Sequence, residues 1–310
     1  MPERMTDERN FRSSYLEKLG CRSVDERKNL EILLYKENPV NKMKLKEFCL
    51  RFVIPADYRK NLWKLLLGVT PLYSANLDFV LEQLSAIYQD LLKALQIMRI
   101  TTDRDGGGTN VAMSKSKIFY AMFLLENKQL HLNFNLNHPN SFTKIADTIL
   151  EIDGFDNDVE SYFLTKGFYE LTKAITSELP ALINLTQITL EKEDNETYKH
   201  ICAIGANNRL PYETWYQSCF SGVISERALA RIWDRICGGS IKIVVFVLVI
   251  ILITYKRSVL QMKEVQEVVR MVEQLKDDPD ASELIVSKAI EFWQLNKGHT
   301  EFSSKGKAIN

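Results

Sequence analysis

Thirteen consecutive uncharged residues, Ile243 to Tyr255, follow the segment Arg231-Ile232-Trp233-Asp234-Arg235-Ile236-Cys237-Gly238-Gly239-Ser240-Ile241-Lys242. Within them Val244 to Ile253 is an unbroken apolar run. A helix needs about 20 apolar residues to cross a bilayer, so this run is too short to span one and belongs in a protein core. Its β-branched content suits a strand as well as a helix. A run that is hydrophobic all round carries no period to decide between them, so its neighbours must decide.

Those neighbours read as helix almost everywhere. Ser23-Val24-Asp25-Glu26 has the form of a capping box, with Ser at N-cap and Glu at N3, ahead of Leu30, Leu33 and Leu34. Gly20 closes the helix before it, and Pro39, Pro55 and Pro71 punctuate short helical stretches. Asn76 to Met98 is longer: Leu77, Leu84, Leu91 and Met98 recur every seven residues, with Val80, Ile87 and Ala94 three residues after the first three and Leu81, Tyr88 and Leu95 in a further row. A face three rows wide exceeds a two-stranded coiled-coil seam and predicts a helix packed in a core. One edge of it could still meet a partner helix. Helices are also expected over Val159–Ser177, Asn195–Ala203, Pro211–Phe220, the stretch bearing Met262, Val265, Val269, Val272 and Leu275, and Leu284–Leu295, which is entered through Pro279 and Asp280. No series of alternating strands is visible. The fold class expected is all-α.

Composition narrows the function. Forty basic and forty acidic side chains cancel, so no overall field draws the chain to nucleic acid or an anionic membrane. Cys21, Cys49, Cys202, Cys219 and Cys237 are odd in number and contain no C-x-x-C pair, which argues against a disulfide framework or a structural zinc site and for reduced, mostly buried thiols in a cytoplasmic protein. The polar start, Met-Pro-Glu-Arg-Met-Thr-Asp-Glu, has no apolar core of a secretory leader. Gly106-Gly107-Gly108 lies in a loop with no Gly-Lys-Ser/Thr after it, so it is not a phosphate loop. Asp153 to Asp158 is acidic but lacks the alternating ligand spacing of a calcium loop, and reads as a loop capping the next helix. His131 and His138 stand in a polar loop as surface residues, and none of the four histidines forms an H-E-x-x-H or paired ligand set. No metal or cofactor is expected.

Two blocks carry a resemblance. Ile54-Pro55-Ala56-Asp57-Tyr58-Arg59-Lys60-Asn61-Leu62-Trp63-Lys64-Leu65-Leu66-Leu67-Gly68 resembles the opening motif of the TBC domain, the helical module of many Rab GTPase-activating proteins. Pro55 stands at the helix start, Arg59 follows on its first turns, Trp63 lies four residues on along the same face, and Gly68 is the exit. Leu229-Ala230-Arg231-Ile232-Trp233-Asp234 with Gly238-Gly239 and the apolar run is similar to the late motif of the same family. Arg231, Trp233 and Asp234 are its marker positions here. The resemblance implies two helical lobes. The domain is expected over 23–296, its N-lobe about 23–195 and its C-lobe about 196–296, with a helical extension over 1–22 and a polar tail over 297–310. Asn10-Phe11-Arg12-Ser13, Leu210-Pro211-Tyr212-Glu213, Ser240-Ile241-Lys242-Ile243 and Ile285-Val286-Ser287-Lys288-Ala289-Ile290 are similar to the branch of the family that joins hamartin and tuberin in the tuberous sclerosis complex.

In an active TBC domain an arginine stabilises charge on the transferred phosphoryl group and a glutamine positions water. The family's arginine belongs to an Ile-x-x-Asp-x-x-Arg pattern, onto which Ile87, Asp90 and Lys93 fall, so lysine stands where arginine is expected. A lysine lacks the planar fork that contacts two oxygens at once. Arg99 lies six residues on and fits only with a broken register, while Gln129 lacks the tyrosine of the family's Tyr-x-Gln, a motif absent from the whole chain. An arginine finger is worth roughly 10³ to 10⁵ in rate, so the resemblance implies a chain that has lost the chemistry.

Three readings follow. The first is a non-enzymatic scaffold that binds the hamartin coiled coil, reaches tuberin through the complex, supports tuberin's activation of Rheb hydrolysis and restrains TOR kinase signalling, in the cytoplasm or recruited through the complex to lysosomal or other vesicle membranes. Phe79, Tyr88 and Leu92 are the nominated docking residues. The second is a Rab GTPase-activating protein working through Lys93 or Arg99. The third is a Rab-binding effector without activity.

Overall fold

The computed structural model describes residues 22–100, 102–104, 110–131, 135, 136, 138, 140–152 and 157–300. Its helices in chain order are α1 (Arg22–Glu31), α2 (Lys42–Arg51), α3 (Ala56–Leu66), α4 (Leu77–Ile97), α5 (Lys115–Glu126), α6 (Ser141–Glu151), α7 (Asp158–Glu193), α8 (Asn195–Ala203), α9 (Tyr212–Gln217), α10 (Glu226–Cys237), α11 (Ile243–Thr254), α12 (Lys256–Val259), α13 (Val265–Glu273) and α14 (Pro279–Thr300). The fold is all-α apart from one short antiparallel ribbon, β1 (Thr102–Arg104) with β2 (Asn110–Ala112), in which Asp103 pairs with Val111. That ribbon flanks the triple glycine and is a feature the period-2 reading did not anticipate, because three-residue strands are too short to alternate visibly.

The uncharged run forms α11, with Ile243 to Val249, Ile251 and Leu252 all buried. It packs against α7 and α14 and touches α10. Being covered on several sides explains why it is apolar all round. Helix α10 is the opposite case: it buries Leu229, Ile232, Trp233 and Ile236 while leaving Arg227 exposed. Gly238, just past its end, sits where a Cβ would come within 3.0 Å of the Cys49 Cβ, so the close approach of α2 to the end of α10 requires glycine.

Helix α7 organises the whole. It packs against α4 and α6 on one side and against α8, α9 and α11 on the other. Asn157 caps it, accepting hydrogen bonds from the amides of Val159 (2.9 Å) and Glu160 (3.4 Å). Helix α3 begins at Pro55, whose φ of −63° and ψ of 143° set the N-cap geometry, and leaves through Gly68 at φ +77°. There the Val69 amide donates back to the Lys64 carbonyl at 2.8 Å. Among the described cysteines, Cys49, Cys219 and Cys237 are buried free thiols and Cys202 is half-buried.

Several expected boundaries move. Helix α7 does not stop at Ser177 but continues through Pro180 to Glu193, because Leu182, Thr186 and Leu190 bury a continuing row while Pro180 faces solvent. Ser23 lies inside α1, since the backbone is already helical at Arg22. The stretch expected over Pro211–Phe220 is helical only to Gln217, because Cys219 and Phe220 adopt left-handed φ values of 49° and 63°. In α13 the inward valine is Val268, with Val269 only partly buried. Helix α14 runs to Thr300, past the expected end at Leu295 and into the first residues of the polar stretch over 297–310. Gly20, Cys21, the segment Asn10–Ser13, the extension over 1–21 and the end over 301–310 lie outside the described residues.

Candidate functional site

Helix α4 carries every candidate finger and docking position except Arg99 and Gln129. Its inward row is Leu84, Tyr88, Leu91 and Leu95, of which Tyr88 and Leu95 are fully buried. Tyr88 meets the Phe119 ring of α5 edge-on at 6.3 Å and the Tyr162 ring of α7 at 6.0 Å. Burial, and after it the charge of Asp158, pushes the Tyr88 phenol up to about 12. This corrects the nomination of Tyr88 as a docking residue: it is 6% exposed and belongs to the core. Leu92 is half-buried against the core as well. The physical reason is angular, since at about 100° per residue Tyr88 lies only about 20° from Leu95 and about 40° from Leu84, still on the inward side of the helix.

Phe79 remains outward at 65% exposure, and with it stand Ile87 and Ile97, the latter 74% exposed. Phe79 and Ile97 are eighteen residues apart, five whole turns at about 3.6 residues each, and so share one line. Ile87 lies about 80° from that line. The outward apolar edge is therefore Phe79, Ile87 and Ile97. A rotation of the sequence pattern could have separated it from the core row, had the widest face not been read as a single unit.

The candidate finger positions Asp90 and Lys93 lie on this same helix. Asp90 and Lys93 are exposed on the outward side of α4. Arg99 is exposed beyond the helix end, in a left-handed backbone with φ 58° that is uncommon for a non-glycine residue. Gln129 is exposed in the turn after α5, its amide donating to the Leu124 carbonyl at 2.8 Å. Glu126, at the end of α5, accepts from the Tyr162 hydroxyl at 3.0 Å and from the Lys166 ammonium at 2.5 Å, which joins that turn to α7. His131 and His138 are exposed, and no cluster able to hold a metal ion occurs among the described residues.

The motif residues meet elsewhere, inside the protein. Arg59 Nε donates to both Asp234 oxygens (3.0 and 3.2 Å), and its Nη2 donates to Asp234 Oδ2 and to the Ile54 carbonyl, both at 3.0 Å. Trp63 Nε1 donates to Asp234 Oδ1 at 2.9 Å. Spacing of four residues on α3 sets Arg59 and Trp63 on one face, so a single carboxylate from α10 receives both. Burial pushes the Asp234 carboxyl above its ordinary value, and the Arg59 guanidinium, the nearby Arg235 and the Trp63 indole act against that rise. Around it Phe168 stacks on Trp233 at 4.1 Å between centroids, and Trp63 lies 5.9 Å from Trp233, whose own indole donates to the Cys219 carbonyl at 3.1 Å. Arg231 faces the other way, donating to Glu283 and, at 3.1 Å, to Ser287 of α14.

A second tie between α3 and α7 is ionic. Lys60 and Lys64 both approach Glu160, at 2.8 and 2.9 Å. Burial opposes ionisation of Glu160, but the hydrogen bonds from the two lysines together outweigh it and hold the carboxyl below its ordinary value.

The chain is similar to known proteins in sequence and in fold. Residues 160–261 match the Rab-GTPase-TBC domain family. The human protein TBC1 domain family member 7 is 34% identical over 301 residues, covering 96% of this chain and 98% of the relative. The Xenopus tropicalis protein of the same name is 36% identical, covering 94% and 96%. Among solved structures the Ypt/Rab-GAP domain of Gyp1p superposes with a TM-score of 0.62 at 14% identity, over 88% of this chain and 99% of that one. The Chlamydomonas flagellar RabGAP TBC domain gives 0.55 at 18% identity, over 86% and 95%. These two likenesses concern the fold alone.

Proposed function

The chain belongs to the TBC-domain family, and from that premise we propose that it is a non-catalytic member, a helical scaffold that binds a partner helix along the outward edge of α4. The observation that carries this reading is Lys93. It occupies the family's finger position with its Ile87 and Asp90 neighbours kept, while no Tyr-x-Gln is present anywhere in the chain. A lysine can neutralise charge but cannot fork onto two phosphoryl oxygens, and the loss of an arginine finger costs roughly 10³ to 10⁵ in rate.

The partner we propose is hamartin, through its coiled coil, with tuberin reached through the complex. In that setting the chain supports tuberin's activation of GTP hydrolysis by Rheb and so restrains TOR kinase signalling, and recruitment to lysosomal or other vesicle membranes comes through the complex. What supports a helical partner is Phe79, Ile87 and Ile97, three exposed apolar side chains on one edge of a helix 21 residues long. Apolar anchors spaced along one helix edge suit packing against a second helix. No helix among the described residues is long and apolar enough to cross a membrane.

Two measurements test the reading. Single-turnover GTP hydrolysis by a panel of Rab proteins should proceed at the intrinsic rate with and without the chain. Acceleration that disappears in Lys93→Ala or Arg99→Ala would establish a Rab GTPase-activating protein instead, and GTP-dependent Rab binding without acceleration would establish an effector. Titration with the hamartin coiled coil should give saturable binding that Phe79→Asp weakens, and no binding by the wild-type chain would end the scaffold reading.

A further inference from the structure

Helix α2 carries Lys42, Lys44, Lys46 and Arg51 within ten residues, against a single acid, Glu47. Three of the four cations therefore stand in its N-terminal half, and no acidic residue lies in the first turn. Lys42 and Lys44, in its first turn, oppose the positive end of the helix dipole. Lys42 and Lys46, four residues apart, also repel each other on one face. Burial, and after it Lys46, holds the Lys42 ammonium below its ordinary pKa. Nothing within the fold offsets most of this. Lys44 pairs with Glu37 at 2.7 Å, but Lys42, Lys46 and Arg51 have no ion-pair partner among the described residues. A local arrangement that costs stability without an internal return points to a use outside the fold.

The placement of the apolar residues says which use. Helix α2 buries Leu45, Phe48 and Cys49 against α3 and α10, and turns Met43 fully outward, 67% exposed. At about 100° per residue, Met43 lies midway along the outward arc, with Lys42 and Lys46 on one side and Arg51 and Lys44 on the other. Glu47 is the one acid on that arc. Val53, just past the helix end, is exposed as well. The chain as a whole has no net charge, so this is a local concentration of cations around an apolar centre.

We propose that the outward arc of α2, Lys42, Met43, Lys46 and Arg51, docks on an anionic bilayer surface, with the cations at the headgroups and Met43 dipping between them. Cations close to an anionic leaflet each strengthen binding by about fivefold, and an apolar side chain at the centre of a basic face adds an interfacial contact. This contact is the chain's own and does not depend on hamartin, so it stands or falls separately from the scaffold reading.

The test is flotation of the full chain with vesicles of phosphatidylcholine alone or with about 30 mol% phosphatidylserine added. The wild-type chain is expected to float with the anionic vesicles only. Lys42→Gln with Lys46→Gln should weaken that binding about 25-fold, two factors of five, with an unchanged circular dichroism spectrum and melting curve. Met43→Ser should also weaken it. Absence of wild-type flotation, or flotation of the double variant equal to wild type, overturns the proposal. So does a Met43→Ser variant that floats normally, because Met43 then makes no contact with the bilayer, or retention on heparin without vesicle binding, because that assigns the face to a soluble polyanion.

Discussion

Arg59 and Asp234 stand 175 positions apart in the chain and are joined in the core by a forked hydrogen bond, with Trp63 on the same carboxylate. The two sequence blocks that mark the family are thus two halves of one buried device that locks α3 onto α10. Removing one partner of a buried pair leaves the other charged and unmatched, which costs about 3 to 5 kcal/mol. Replacing both by apolar groups of similar volume costs far less.

Asp234→Ala should therefore destabilise the chain by about 3 to 5 kcal/mol. Arg59→Met with Asp234→Leu should cost markedly less than the two single changes added together. Urea denaturation of Asp234→Ala, and of wild type, Arg59→Met, Asp234→Leu and the double variant as a double-mutant cycle, measures this. An Asp234→Ala protein within about 1 kcal/mol of wild type would show that the pair is not what holds the blocks together.

Glu160 supplies a pH dependence of defined sign. Its folded-state pKa is depressed by Lys60 and Lys64, so its stabilising contribution is present above the ordinary carboxyl value of 4.5 and is lost as pH falls through the folded value. The stability gap between wild type and Lys60→Met with Lys64→Met is expected to be widest near neutral pH and to close on acidification below 4.5. Denaturation curves along a pH series report it, and a gap that stays constant down to the acid limit contradicts the assignment.

Gly167 sits on α7 where a Cβ would lie 3.0 Å from the Leu67 Cβ and 3.1 Å from the Leu67 carbonyl oxygen. Alanine normally gains about 1 kcal/mol over glycine inside a helix. Here the backbone carbonyl cannot yield, so Gly167→Ala should instead lose about 1 to 3 kcal/mol. A higher melting temperature would mean that α3 and α7 separate more easily than their packing implies.

Phe79→Asp and Tyr88→Asp separate surface from core along one helix. The first is expected to leave stability within about 0.5 kcal/mol of wild type while weakening association with a hamartin coiled coil. The second buries a carboxylate among Phe119 and Tyr162 and should lower the melting temperature sharply. If Phe79→Asp binds as tightly as wild type, the α4 edge is not the docking surface.

The all-α class and the place of the uncharged run were legible because Pro55, Gly68 and the long period of α4 leave local marks that need no tertiary knowledge. The joining of Arg59 to Asp234 left none, since only the folded chain brings α3 to α10. Tyr88 was misassigned because a three-row face does not say which row is innermost, and its aromatic partners come from α5 and α7. Pro180 hid the true length of α7: a proline usually ends a helix, but burial of Leu182, Thr186 and Leu190 beyond it carries this one on.

That long helix has a structural consequence. Thirty-six residues make a rod about 54 Å long, and α4, α6, α8, α9 and α11 all pack along it. Pro180 has no amide hydrogen to give the Thr176 carbonyl, so one rung of the helix's hydrogen-bond ladder is missing there. Tyr162 receives Tyr88 of α4 on one side of that gap, and Thr186 meets the Tyr216 hydroxyl of α9 on the other.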